Sequence, residues 1–226
     1  MEISFLSILT LGFLLGIKHA IEPDHIIAVS TIASESKKLS RSSLAGVFWG
    51  IGHTSTLLAV GIIVIVLNGA IPEILSMSLE FTVGIMLIYL GVNRIYNFKK
   101  KINSQSENHH RHHQNQSKKF PYFKSMIIGL VHGLAGSAAM VLLTMSTAQD
   151  VGEAVFYIFI FGIGTIVGML FFTTIIGVPF VLSVNHLSAH NALTLFTGVI
   201  STVFGVYYMY KLAFIEGLFK LWLQAL

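Results

Sequence analysis

Gly16-Ile17-Lys18-His19-Ala20-Ile21-Glu22-Pro23-Asp24-His25 sets two histidines, two carboxylates and a proline into a run that is otherwise apolar. Pro23 has no N–H, so the His19 carbonyl four residues earlier loses its helical donor. Glu22, which precedes the proline, is driven toward extended backbone. The stretch therefore predicts a helix broken at Pro23. A broken helix at membrane depth is tolerated where it lines a site or a cavity. A simple proline kink would need no ionisable neighbours, and here four of them fall within seven residues, His19 to His25. Each costs about 2.5–3.5 kcal/mol at the centre of a membrane helix for the charged types, so such groups mark a pathway or a ligand. Imidazole with carboxylate is also a ligand set for first-row divalent metals. The stretch reads as a metal site inside a membrane.

Composition agrees. Of 226 residues, 54% are hydrophobic and 11% charged, against about 25% charged in soluble domains. Too little polar surface remains to solvate a globule. The net charge of +4 fits basic loops facing an anionic leaflet, and nucleic acid is not an expected partner. The chain has no cysteine, which excludes disulfides, thiolate metal sites and thiol-based electron carriage. Met1-Glu2 gives no basic n-region and no small-residue cleavage site follows, so the first segment is expected to be retained.

Apolar segments at 3–33, 43–67, 74–97, 124–147, 154–181 and 190–212 are each near or above the roughly 20 residues that span hydrocarbon. The loop after the first carries Lys37, Lys38 and Arg41, and eight basic residues lie between Arg94 and Lys124. The opposite loops, near Pro72 and Gln149, hold only Glu73, Glu80, Asp150 and Glu153 as charged groups. The positive-inside rule then puts both basic loops in the cytoplasm and both termini outside. Phe214 to Leu226, with Trp222, reads as an interfacial helix.

The chain also repeats. Gly16-Ile17-Lys18-His19 matches Gly129-Leu130-Val131-His132 at an offset of 129 − 16 = 113. Gly50-Ile51-Gly52 matches Gly162-Ile163-Gly164 at 112, and Gly91-Val92 with Tyr96 matches Gly205-Val206 with Tyr210 at 114. Three helices per half is odd, so the halves would cross the membrane in opposite senses, which is a transporter architecture. The expected fold is an all-α membrane protein with about six transmembrane helices in two inverted three-helix repeats. Residues 1–97 form the first repeat, 98–123 a histidine-rich basic cytoplasmic linker, and 124–226 the second repeat with its interfacial tail.

His19, Asp24 and His25 are the first candidate ligands. Six residues on an ideal helix would turn His19 and His25 about 120° apart, and the break at Pro23 lets them converge. Glu22 is placed as an outer partner that fixes a histidine tautomer. His53 lies in Phe48-Trp49-Gly50-Ile51-Gly52-His53-Thr54, where the glycines permit close approach to the first helix. Metal ligation and interhelical hydrogen bonding are both open to it. His132 is the repeat partner of His19, while Asp24 and His25 correspond to Ser137 and Ala138, so the second half contributes fewer ligands. Arg94 is expected as an interfacial anchor. His109-His110-Arg111-His112-His113 is either a metal-capturing tract or a tolerated linker.

H-x-x-x-x-D-H at His19–His25, with the Phe-Trp-Gly-Ile-Gly-His-Thr segment, resembles the nickel/cobalt transporter family. His-Gly-Leu-Ala-Gly-Ser at 132–137 brings the likeness closer to its shorter branch of urease-accessory-type membrane proteins. The Asp- and Thr-rich motif of the longer members is absent. The resemblance implies high-affinity divalent-cation transport in which His19, Asp24 and His25 are indispensable.

The expected function is secondary transport of nickel or cobalt across the cell membrane, as uptake for a metalloenzyme such as urease. The ion is the transported substrate and no permanent cofactor is expected. The other expected partners are membrane lipid and nickel-enzyme maturation proteins. No G-x-x-x-x-G-K-[ST] loop is present, and two charges moving inward gain roughly 4.6 kcal/mol per 100 mV. Efflux and a non-transporting accessory role are the alternatives. A membrane hydrolase is disfavoured, because there is no H-E-x-x-H helix and no general base beyond the expected ligands.

Overall fold

In the computed structural model, residues 5–66, 71–107, 121–147 and 150–225 are described. The His109–His113 tract lies outside them. The described chain is helical throughout. The first apolar segment forms two helices, α1 (Phe5–His19) and α2 (Pro23–Ala33). Glu22 between them is extended at φ −62°, ψ 145°, as the proline requires. The His19 carbonyl accepts from the Glu22 N–H at 3.1 Å instead of from a helical donor at residue 23. Then follow α3 (Leu39–Val66), α4 (Glu73–Glu107), α5 (Pro121–Thr147), α6 (Val151–Leu182) and α7 (Leu187–Tyr210). A π turn at Lys211–Ile215 and Gly217, at φ 87°, lead into the short α8 (Leu218–Gln224). Only glycine takes that left-handed turn without strain.

Among the described residues, four helical stretches are long and apolar enough to cross a membrane: Leu39–Ile65, Glu73–Lys100, Val151–Asn185 and Leu187–Ile215. The first and fourth expected segments enter as shorter apolar helices, Leu9–His19 and Tyr122–Ala135. At 15 residues α1 reaches about 22 Å, short of a 30 Å core, so it needs α2 to complete a crossing. Large apolar side chains such as Phe171, Phe196 and Val203 face outward, as lipid rather than water permits. The chain is a multi-pass membrane protein.

The helices meet through glycines. α3 packs against α5 and α6, α4 against α7, and α1 against α6. A Cβ on Gly16 would run into the Phe161 carbonyl oxygen and the Thr165 nitrogen, and one on Gly129 into the Trp49 oxygen and the His53 nitrogen. Adding 113 to 16 gives 129, and adding 112 to 49 and 53 gives 161 and 165, so the two contacts are counterparts in the repeat numbering. Gly91 against Gly198 and Thr202 has the same relation to Gly205 against Gly84 and Ile88, at 114. Hydroxyls bridge the same seams: Thr54 donates to the Gly162 carbonyl at 3.2 Å and Thr56 to that of Leu130 at 2.9 Å. Gly129→Leu is expected to cost about 1–3 kcal/mol by overpacking against backbone that cannot yield. A lowered thermal unfolding midpoint in mild detergent would show it, and an unchanged midpoint would count against this packing.

Candidate metal centre

The break delivers its side chains to one place. His19 is the last residue of α1; Asp24 and His25 stand in the first turn of α2, where the helix N-terminus favours a carboxylate. His53 lies half-way along α3 and His132 near the middle of α5. All five expected ligands and Glu22 come together. His19 and His25 have ring centroids 4.5 Å apart, and those of His25 and His132 are 4.4 Å apart. The Nε2 atoms of His19 and His53 are separated by 3.1 Å. That is the length of a hydrogen bond between the two rings, one Nε2 donating to the other.

Three carboxylate contacts assign the tautomers. His19 Nδ1 donates to Glu22 Oε2 at 3.0 Å, His25 Nδ1 to Asp24 Oδ1 at 3.1 Å, and His132 Nε2 to Asp24 Oδ2 at 2.7 Å. A carboxylate can only accept, so in the neutral imidazoles the opposite nitrogens carry lone pairs. These are His19 Nε2, His25 Nε2 and His132 Nδ1. The latter two, with His53 Nδ1, are buried and have no hydrogen-bond partner. Buried polar atoms are ordinarily paired. Three orphaned imidazole nitrogens in one cluster form a donor set suited to a borderline-soft divalent cation. The groups fall into two trios of possible ligand atoms, His19–His25–His53 and Asp24–His25–His132, and within each the atoms lie inside 4.8 Å of one another. His25 belongs to both.

Asp24, expected as a direct ligand, stands in the second trio, and its two oxygens also lie within hydrogen-bond distance of His25 and His132, an arrangement in which a carboxylate orients an imidazole and raises its basicity. Glu22 stands in the same relation to His19 Nδ1. The cluster is graded in burial: the Glu22 side chain is 50% exposed and that of His19 12%, whereas His25 and His132 are at 1%. The break is thus its mouth and α5 its closed end.

Sequence reasoning missed Trp49. Fully buried, it stacks on His53 at 5.2 Å and stands edge-on to His25 at 5.0 Å and to His132 at 5.1 Å. Its place one helical turn before His53 on α3 was the available signal. Phe161, 5.4 Å from the His19 ring, closes the other side. Arg94, expected as an interfacial anchor, donates to the Ser34 carbonyl at the end of α2 and lies 3.9 Å from Glu35. It fixes the far end of the half-helix that carries Asp24 and His25.

A family described as "Cytochrome C biogenesis protein transmembrane region" matches residues 7–207. The chain is 58% identical to the "Urease accessory protein UreH" of Bacillus sp. (strain TB-90), over 99% of each chain. Two Arabidopsis thaliana relatives, "Chloroplast protein FOR GROWTH AND FERTILITY 2" and "1", are each 25% identical over 74% of this chain, which covers 46% and 48% of their lengths. No solved structure matches. By the extent of both matches, it belongs to the membrane family named for the transmembrane region of cytochrome c biogenesis proteins, and the urease accessory protein UreH is a full-length relative.

Proposed function

We propose that the chain carries nickel, with cobalt as a competing substrate, across the cell membrane for the maturation of a nickel enzyme such as urease. One observation carries the reading: four histidines and two carboxylates gather in the helical bundle, with three buried imidazole nitrogens left without a protein partner. A purely structural cluster would satisfy those atoms. The kinship to a urease accessory protein supplies the metal. The family's name points to cytochrome assembly, but a chain with no cysteine has no thiol with which to carry electrons.

The mechanism follows from the fold. An ion passes Glu22 at the mouth and sheds water onto His19, which Glu22 orients, His25, which Asp24 orients, and His53. His132, bonded to Asp24, lies on the far side of His25 and receives the ion next. The two halves are inverted repeats of six crossings in all. Their exchanged glycine contacts support this, since a pseudo-two-fold axis between them would relate the Gly16 seam to the Gly129 seam. Rocking of one half on the other exposes the site to each side in turn. The basic loops face the cytoplasm, and uptake runs down the membrane potential.

The test uses a bacterium with urease genes and no nickel importer, grown at submicromolar nickel. Expression of this chain is expected to raise both cellular nickel and urease activity, each at least several-fold. Raised urease activity at unchanged cellular nickel would instead establish the accessory role. A fall in cellular nickel would establish efflux.

A further inference from the structure

Away from the histidine cluster, α4 and α5 diverge and leave a crevice of about 430 Å³ lined by Met86, Tyr89, Leu90, Ile127, Ile128 and Val131, with Lys124 at one end. Tyr89 and Ile127 on its lips are exposed at 64% and 42%. The crevice therefore opens sideways, on the face that meets hydrocarbon. Its lining is apolar for about 10 Å along α5, from Val131 back to Lys124, at 1.5 Å per residue. Polarity returns only at the Lys124 end, where Glu35 is shared between Lys124 Nζ at 3.2 Å and Arg94 at 3.9 Å. Two cations over one carboxylate leave that rim positive. Lys100 stands two turns beyond Asn93 on the same stripe of α4, and Asn93 lines the small recess beside Lys124.

We propose that this crevice binds one anionic phospholipid, with an acyl chain lying between α4 and α5 and the headgroup phosphate at Lys124. Its chemistry is that of an amphiphile: hydrocarbon along the length and one positive end, placed where the basic residues put the cytoplasmic leaflet. Anionic headgroups gather on that leaflet, and basic pockets between helices hold them. A second copy of the chain would bring its own basic rim to the same level, opposing like charge. The lipid would buttress Ile128 and Leu90, which pack in the same core as Trp49, and so support the wall behind the histidines.

The test takes the full chain, stripped of lipid in neutral detergent, and adds phosphatidylglycerol or phosphatidylcholine. Bound lipid is counted by native mass spectrometry and the unfolding midpoint is followed. Phosphatidylglycerol is expected to bind one per chain and to raise the midpoint more than phosphatidylcholine. Lys124→Gln should weaken phosphatidylglycerol about fivefold, and Lys124→Arg should restore it. Ile127→Trp, filling the lip, should reduce retention of both lipids. Equal binding of the two lipids by the native chain, or a Lys124→Gln variant that keeps its preference, would overturn the proposal. So would a dimer closing this face with no lipid retained.

Discussion

His25→Ala is expected to abolish nickel binding and transport together, more completely than any other single histidine change. Among the described residues His25 alone belongs to both ligand trios, so its loss removes a nitrogen from each. His19→Ala and His53→Ala damage only the outer trio and His132→Ala only the inner one. The expected order of severity is therefore His25, then His19 and His53, then His132. Orienting partners cost roughly 10–100-fold in metal affinity when lost, and a direct nitrogen ligand should cost more. Trp49 supplies the readout. The chain has two tryptophans, and Trp222 lies in α8, where its Nε1 donates to Ser78 at 3.0 Å. In a Trp222→Phe background, nickel or cobalt beside His53 and His25 should quench Trp49 fluorescence in a saturable way. His25→Ala should remove that quench while the helical circular dichroism stays intact. A His25→Ala variant that binds nickel as tightly as the parent would remove His25 from the site.

Asp24→Asn is expected to separate function from stability. Both carboxylate oxygens accept from histidines. Asparagine keeps one acceptor oxygen, so one of the two buried N–H groups loses its partner, at about 1–3 kcal/mol. Against this, a carboxylate inside a membrane costs about 2.5–3.5 kcal/mol on insertion scales, and the amide removes that burden. The two effects are of similar size and opposite sign, so the unfolding midpoint should move little. Metal binding has no such compensation: the imidazoles lose the anion that orients them and offsets the cation's charge. Nickel affinity should fall about 10–100-fold. Measuring both quantities on the same preparation decides the matter. A large loss of stability with unchanged affinity would make Asp24 a structural residue.

The sequence made much of this site legible because its signals are local. Pro23 dictated the break, and the extended backbone at Glu22 and the re-paired His19 carbonyl are its direct consequences. A cluster of ionisable residues in an apolar run is conspicuous for the same energetic reason that it is rare. The repeat pointed to His132 through His19. What spacing could not show is which atoms meet across 108 residues, as His132 and Asp24 do. Spacing placed Asp24 among the ligands without showing that its oxygens also meet two imidazoles. Trp49, one turn before His53, was passed over for a related reason: a buried aromatic is ordinary until the rings around it prove to be histidines. Arg94 shows the same limit, since spacing does not show that its guanidinium reaches the Ser34 carbonyl.

The central claim is that a histidine cluster between the two halves passes a metal ion across the membrane. Its most direct test is radioactive nickel uptake into proteoliposomes of purified protein under an imposed inside-negative potential, beside empty liposomes and the His25→Ala variant. The account predicts saturable uptake that grows with the potential and disappears in His25→Ala. Native protein whose Trp49 is quenched by nickel, yet which moves none above empty liposomes, would contradict transport and leave a membrane protein that only binds the metal.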